Sequence, residues 1–202
     1  MNLFYKSRCI PRKQWSPKNS PGFTLNELLV SVSILAILLT IAIPTYYKRV
    51  PSLRLRRAAR ELYTYMHLAK SAAIRDNIAH RIVFDLTKGR ENYSIWSEGP
   101  NRQWDDQGKD DVREKIIRLA EYGEEISFGR GAAKFDATVH KGKIPDDGIS
   151  YQDNEIRFHP IGTVGIYGYV YLRNRKGENY AVGSPVLAGI IVLKKWAGEN
   201  WQ

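Results

Sequence analysis

The sequence of 202 residues is poor in the side chains that bind metals. It has one cysteine, Cys9, so no intrachain disulfide can form and no thiol-rich zinc site can be built. Its four histidines do not form a ligand pair of the H-x-x-x-H kind; they are His67, His80, His140 and His159. We therefore predict that the protein holds no metal and no cofactor, and that His159, just before a proline, ends a strand.

Patterns that carry enzymatic chemistry are also missing. Ser71, Ser97 and Ser184 do not lie in nucleophile elbows, and no phosphate-binding glycine pattern follows a predicted strand. The stretch WDDQGKDD, residues 104–111, has paired carboxylates near a glycine but lacks the spacing and final glutamate of a calcium loop. We predict a solvated acidic loop there, no catalytic residue, and a function that is not enzymatic.

Charge is distributed unevenly along the chain. Residues 1–22 contain no acid and supply half of the net charge of +10. Their basic residues are Lys6, Arg8, Arg12, Lys13 and Lys18. The remainder carries 26 basic and 21 acidic residues, a mild excess that does not by itself indicate nucleic-acid binding.

No charged residue occurs between Leu28 and Ile43, which read LLVSVSILAILLTIAI. Counted from Phe23 the apolar run has 21 residues, and a helix of that length spans about 30 Å, the thickness of a bilayer's hydrocarbon core. A cleavable secretory signal would end in small residues, whereas this run ends IAIPTYYKRV. An uncleaved membrane anchor fits better.

Glu27 is the one carboxylate at the start of this run. An acid inside an apolar span costs about 2.5–3.5 kcal/mol on insertion scales unless it reaches the interface or finds a partner. Cleavage after the small residue Gly22 would give Phe23 a free α-amino group four residues before Glu27. That amine could pair with the carboxylate of its own chain or of another copy.

The stretch GFTLNE, Gly22 to Glu27, after a basic leader and before an apolar helix, resembles the signal of type IV prepilins and type II secretion pseudopilins. The resemblance implies that a prepilin peptidase cuts between Gly22 and Phe23 and N-methylates Phe23. It further implies that Glu27 pairs with the Phe23 amine of a neighbouring subunit. The implied partners are this peptidase, other pilins or pseudopilins and the inner-membrane assembly platform.

Pro44 also matches, because pilin helices often carry a proline that kinks the stem there. The competing interpretation is that Pro44 marks the membrane exit. Basic residues flank both ends of the span, so their distribution does not choose its orientation. The resemblance does indicate an orientation, since it implies a single-pass inner-membrane protein with a cytoplasmic leader and a periplasmic domain.

The rest of the chain predicts a helix followed by strands. From Leu53 to Arg75, apolar residues recur every three or four positions. They are Leu55, Ala58, Ala59, Leu62, Met66, Ala69, Ala72 and Ala73. Beyond Asn77, short β-branched and aromatic segments are separated by turn residues. They are HRIVFDL, NYSIWS, EISFG, GISYQ, NEIRFHP, GYVYLRN, NYAVGS and GIIVLKK, while residues 112–122 fit either a helix or a strand.

This arrangement is similar to the GspH/FimT group of minor pilins and pseudopilins, over residues 55–195. The similarity depends on the alanine-rich helix, on Phe158, Pro160 and Gly162, and on the last strand. It implies an α+β, pilin-like fold with a long N-terminal helix packed on antiparallel sheets. The expected domains are a cleaved leader (1–22), a transmembrane segment (23–45), a periplasmic helix (46–76) and a β-rich domain (77–202).

The resemblance does not decide between two assemblies to which the subunit could belong. A minor pseudopilin would help a type II secretion pseudopilus export proteins, and a minor pilin would act in type IV pilus assembly. Some members of the group bind DNA during natural transformation. Candidate phosphate contacts here are Arg173, Arg175, Lys176, Lys194 and Lys195, with Trp196 and Trp201 as stacking or packing groups. The same charges also suit solvated turns.

Overall fold

The computed structural model describes residues 22–102, 104, 110–138 and 140–202. The chain divides into two units, Met1–Pro44 and Thr45–Gln202, which are described separately. Of the expected leader, only Gly22 belongs to the described residues, and Cys9 lies outside them.

The first element is helix α1, Leu25–Asp76, of 52 residues. It contains one stretch that is long and apolar enough to cross a membrane, as judged by length and composition. All large apolar side chains from Leu28 to Ile43 are exposed. A helix that exposes such a surface indicates a membrane or a partner as its surroundings.

Past Thr45, α1 has one buried face. Its buried residues are Leu55, Ala58, Ala59, Leu62, Met66, Ala69 and Ala73. These are seven of the eight predicted positions, and the eighth, Ala72, is half-buried. The arginines between Leu53 and Glu61 are exposed and lie off the buried face, as the helical period predicts.

Within the residues that the structure describes, eight strands follow the helix. They are β1 (His80–Asp85), β2 (Asn92–Ser97), β3 (Val112–Arg118), β4 (Ser127–Phe128), β5 (Glu155–Phe158), β6 (Gly168–Arg173), β7 (Asn179–Ser184) and β8 (Val192–Lys195). They form two antiparallel sheets with the orders β3-β2-β1-β5 and β4-β6-β7-β8. Short 3-10 helices occupy Leu119–Tyr122 and Gln152–Asn154.

The core of the second unit joins the buried face of α1 to both sheets. Ile82 and Phe84 of β1 belong to the same apolar cluster as Val170 and Leu172 of β6. Alternate residues of β1 are buried, which is the pattern of a strand with one face in a core. The expected α+β architecture, a long helix packed on antiparallel sheets, is confirmed.

The second sheet is covered on its other face as well. Tyr169, Tyr171 and Ala181 pack there against a cluster that includes Ala137 and Trp196. Every residue of β7 is therefore buried, and so are five of the six residues of β6. Both strands read as nearly continuous apolar runs because neither of their faces meets water.

Two sequence predictions need correction or completion. The stretch GISYQ, residues 148–152, forms a single bridge from Ile149 to Val170 and then a 3-10 turn, not a strand. Tyr151 turns into the core there, where its hydroxyl donates to the Gly168 carbonyl at 2.7 Å. Residues 112–122 are a strand over Val112–Arg118 followed by the first 3-10 helix, so both alternatives contribute.

Candidate functional site

The candidate site begins where α1 begins. The Glu27 amide donates to the Thr24 hydroxyl at 3.2 Å, and the Leu28 amide donates to the Thr24 carbonyl at 3.1 Å. Thr24 is therefore the N-cap of the helix, and Glu27 occupies its third position. The sequence T-x-x-E is the signature of a capping box, a signal that our reading of the sequence missed.

This capping geometry gives Glu27 a local role besides the one inferred from the sequence. An acid in the first turn interacts favourably with the positive end of the helix dipole, by about 0.3–1 kcal/mol. That gain is smaller than the cost of about 2.5–3.5 kcal/mol for a carboxylate in a bilayer. The helix end alone therefore does not offset that cost, so a Glu27 held inside the hydrocarbon core, away from its interface, would need a further cation.

The bond between Gly22 and Phe23 precedes the first helical turn. Gly22 is exposed and has no neighbouring atom within 4 Å of the position of a Cβ. Phe23 is 84% exposed and lies before the first residue of the helix, Leu25. Backbone outside a helix and open to solvent is accessible to a peptidase, and a cut here would create an amine next to the N-cap.

The polar residues of the apolar run bond within the helix. The hydroxyls of Ser31, Ser33 and Thr40 donate to the carbonyls of Glu27, Leu29 and Ala36, at 2.7, 2.8 and 2.8 Å. This back-bonding removes the cost of an unpaired hydroxyl in an apolar environment. Glu27 is the one ionisable group of the run from Phe23 to Ile43.

Pro44 lies inside α1, which continues beyond it to Asp76. Its nitrogen carries no proton, so it cannot donate to the carbonyl of Thr40 in the preceding turn. The boundary between the two units falls directly after Pro44. A weakened turn at this point stays a prediction of the sequence.

The five basic residues proposed to contact DNA do not share one surface. Lys194 lies on the outer face of the second sheet, where its ammonium donates to the Ala137 carbonyl at 2.8 Å. Lys195, the next residue of β8, points to the opposite face, beside Arg56 and Arg60 of α1.

The other three candidates lie at the turn between β6 and β7. The Arg173 guanidinium donates to the Ser127 hydroxyl at 3.1 Å, and Lys176 donates to the Lys48 carbonyl. Arg173 and Arg175 line a cleft that also contains Glu124 and Glu125. The two carboxylates lower the local positive potential, so this turn is a poor phosphate track.

The two tryptophans assigned to stacking or packing do pack. Their rings are 5.3 Å apart, and Trp196 is 7% exposed. The Trp201 indole donates to the Phe135 carbonyl at 2.9 Å. Trp196 and Trp201 therefore complete the cover of the second sheet and offer no free platform for bases.

The prediction of a solvated acidic loop is wrong for Asp111. Its side chain is fully buried, accepts a hydrogen bond from the Gly99 amide at 3.1 Å and forms an ion pair with Arg81 at 3.5 Å. The Arg81 guanidinium also lies 4.3 Å from the centre of the Trp104 ring. Asp105 and Asp106 lie outside the described residues. Among the residues described, no group of three His, Cys, Asp or Glu side chains could hold a metal ion.

Comparisons with known proteins bear on the N-terminal segment. The family model described as "Prokaryotic N-terminal methylation motif" matches residues 17–43. A solved structure, that of the minor pseudopilin EpsH from the type 2 secretion system of Vibrio cholerae, is 12% identical, with a TM-score of 0.41. The match covers 69% of this chain and 95% of that one. The search of curated proteins returned no significant match. The chain thus carries a prepilin-type methylation motif at the start of its apolar helix.

Proposed function

We propose that this protein is a minor pilin or pseudopilin subunit, made as a precursor and assembled into a filament through its N-terminal helix. The observation that carries the proposal is the methylation motif of residues 17–43, which ends in an apolar helix with an exposed Gly22–Phe23 bond before it. The role is architectural, since apolar stems pack together and the β-rich domain contacts neighbouring subunits.

Processing and assembly follow from the same site. A prepilin peptidase cuts after Gly22 and methylates the new amine of Phe23, which stays basic. In the membrane the Glu27 carboxylate needs a cation, and the amine of a neighbouring subunit supplies it. The pairing sets the register of an incoming subunit, because the charges match at one position along the stem.

The proposed topology places residues 23–45 in the inner membrane and residues 46–202 in the periplasm. In this arrangement residues 46–76 continue the stem, and residues 77–202 form the β-rich domain. The partners are the prepilin peptidase, other pilins or pseudopilins and the inner-membrane assembly platform. We assign the subunit first to a type II secretion pseudopilus, with a type IV pilus as the alternative.

Processing is tested on the mature chain by mass spectrometry of its N-terminal peptide. We expect the peptide to begin at Phe23 and to carry one added methyl group. A Gly22→Leu variant should keep its leader, whereas a Gly89→Ala variant, with its glycine in a distant turn, should be processed normally. An intact Met1, or a cut after Ile43, would instead favour a plain signal-anchored protein.

The role of Glu27 is tested with two substitutions that separate its charge from its place in the capping box. Glutamine can occupy the third position of a capping box but has no charge, whereas alanine has neither property. Both Glu27→Gln and Glu27→Ala should therefore reduce incorporation into filaments to a similar degree. If Glu27→Gln assembles as readily as the wild type, pairing with an amine is not what Glu27 provides.

A further inference from the structure

Two loops of the second unit carry an exposed surface without charge. The first loop, residues 160–164, follows β5, and the second, residues 185–191, joins β7 to β8. Neither loop contains a charged residue, although 26% of the chain is charged. Together with the last turns of α1 they present five aliphatic side chains that are 42–84% exposed: Ile74, Ile161, Val186, Leu187 and Ile190. We call these five side chains the apolar patch.

The members of the apolar patch lie together because the two loops contact each other and α1. The Val164 amide donates to the Leu187 carbonyl at 2.9 Å. The backbones of Gly162 and Gly189 approach so closely that a Cβ on Gly189 would lie 2.3 Å from the Gly162 carbonyl oxygen. A Cβ on Gly162 would lie 3.3 Å from Cδ1 of Ile74. The patch residues border these contacts and therefore form one surface.

The chemistry of the apolar patch selects an uncharged partner. Lys70 of α1 reaches the second loop, but it is half-buried and its ammonium donates to the Gly189 carbonyl at 2.8 Å. A charged group laid on the aliphatic side chains would lose its hydration and would find no counter-ion on either loop. An exposed apolar surface of this kind marks a contact with another molecule. The occupant is therefore itself apolar.

The apolar patch is too small to hold two free proteins together. Five partly exposed aliphatic side chains offer roughly a few hundred Å² of surface. A stable complex of free proteins buries about 800 Å² on each partner. A smaller contact persists when another attachment holds the two partners close and raises their effective concentration. Subunits of one filament meet that condition.

The apolar run of the same chain cannot reach the patch. Ile74 lies 29 residues after Thr45, which is about 44 Å along α1 within the second unit. Leu28, at the far end of the run, lies 17 residues before Thr45, which is about 26 Å along a helix. The run is therefore too short to meet Ile74 at any orientation of the two units. An apolar helix on the patch has to come from another subunit.

We propose that the apolar patch binds the N-terminal apolar helix of an adjacent filament subunit. This chain shows the chemistry of such a helix in Leu28–Ile43, which is uncharged and exposes its leucine, isoleucine and valine side chains. When such a helix packs on the patch, both surfaces leave water and no charge loses its hydration. The proposal rests on the proposed filament function, because the filament supplies the helix.

The test maps the contact by photo-crosslinking in the cells that assemble the filament. The full chain carries the photoreactive residue p-benzoylphenylalanine in place of Ile161, the most exposed member of the patch. After irradiation, mass spectrometry identifies the linked peptide. We expect this peptide to lie within the apolar N-terminal helix of a subunit with a prepilin-type motif. A linked peptide from a β-rich domain, a lipid adduct or the absence of any linked peptide would overturn the proposal.

A charge placed in the patch should abolish the crosslink. Leu187→Lys puts an ammonium against the incoming helix, so the yield from position 161 should fall at least about tenfold. The matched control is Val112→Lys, because Val112 of β3 is exposed to a similar degree, and it should keep the yield of the wild type. Ile190→Lys should repeat the loss, which separates the effect from misfolding of one variant. Equal yields from the patch variants and the control would count against the proposal.

A second probe position separates failure of this proposal from failure of the filament function. In place of Ile34, inside the apolar run, the same photoreactive residue should link to the apolar helix of another subunit if stems pack together. Linked helices from position 34 but none from position 161 would leave the filament function standing and overturn the role of the patch. The absence of a linked subunit from either position would overturn both.

Discussion

Single buried polar side chains tie the loops of the second unit to its sheets. Asn179 is fully buried, and its amide donates to the carbonyls of Gly129 at 3.0 Å and Leu172 at 3.3 Å. The same side chain accepts a bond from the Ala133 amide at 3.3 Å. Through these bonds Asn179 ties the loop of residues 129–133 to the second sheet.

Tyr151 has the same function on the other side of the sheet, and its removal is our first prediction. Its hydroxyl donates to Gly168 and accepts from the Ser184 amide at 3.2 Å. Tyr151→Phe removes both hydrogen bonds of the buried hydroxyl, so the free energy of unfolding in urea should fall by about 1–3 kcal/mol. Tyr167→Phe is the matched control, because Tyr167 is 59% exposed. Equal stability of the two variants would contradict this account.

His80 should make stability depend on pH. Its side chain is 1% exposed, with Glu114 at 3.6 Å from Nδ1 and Asp76 at 4.0 Å from Nε2. Burial lowers the pKa of His80 below its ordinary value of 6.5, while Glu114 and Asp76 oppose this shift and Arg75 adds to it. Below pH 6.5 the unfolded chain therefore binds the proton more readily, and stability falls as pH falls toward the folded pKa.

This dependence is checked by the thermal midpoint between pH 7.5 and pH 5. We expect His80→Gln to flatten the fall relative to the wild type, since glutamine does not titrate. The exposed His140 provides the control His140→Gln, which should keep the slope of the wild type. An unchanged slope in His80→Gln would show that the fall comes from other groups.

At the scale of elements, the periodicity of the sequence predicted which residues of α1 are buried, because burial there depends on one face of the helix. It did not predict structure that depends on contacts between distant segments. Seven of the eight helix positions were found because burial repeats with the helical turn. GISYQ was misread as a strand because β-branched and aromatic residues also fill core positions outside strands. Asp153 and Asn154 follow it with φ of 56° and 53°, values that end an extended segment.

For the candidate site too, the sequence predicted residues that are contiguous and missed groups that the fold brings together. Gly22, Phe23 and Glu27 could be found in the sequence because they are contiguous. The grouping of Arg56 and Arg60 with Lys195 could not be found, because Lys195 belongs to a strand 135 positions beyond Arg60 in the chain. Asp111 was misread because its partner Arg81 belongs to β1, 30 positions earlier in the chain. Contacts between distant segments are set by the fold and leave no local pattern.

Pro44 gives a prediction about the helix itself. Proline in a helix interior costs about 3 kcal/mol because a hydrogen bond is lost and the ring clashes with the preceding turn. Pro44→Ala should therefore slow amide hydrogen exchange over residues 40–48 of the full chain in micelles. Pro51→Ala is the matched control, and it should protect the turn before residue 51 but leave residues 40–44 unchanged. Equal exchange in Pro44→Ala and the wild type would argue against a weakened turn.

At the scale of the whole molecule, the folding of the second unit should not need the first. Among the described residues, all buried side chains lie between Leu55 and Trp196. A chain that begins at Thr45 keeps this core, and the described residues that it loses, 22–44, are all exposed. Its thermal midpoint in the same detergent should match that of the full chain within about 2 °C, a shift that corresponds to less than 1 kcal/mol at this size. A markedly lower midpoint would mean that residues 22–44 stabilise the core.

The outermost strands of both sheets bear on how the protein can polymerise. In the first sheet β3 carries Arg113, Glu114 and Lys115, and in the second β8 ends in two lysines. The opposite edges, β4 and β5, are only two and four residues long. Short and charged borders discourage a foreign strand from adding to a sheet. Any fibre built from this protein should therefore grow without cross-β pairing, and should dissolve under conditions that amyloid survives.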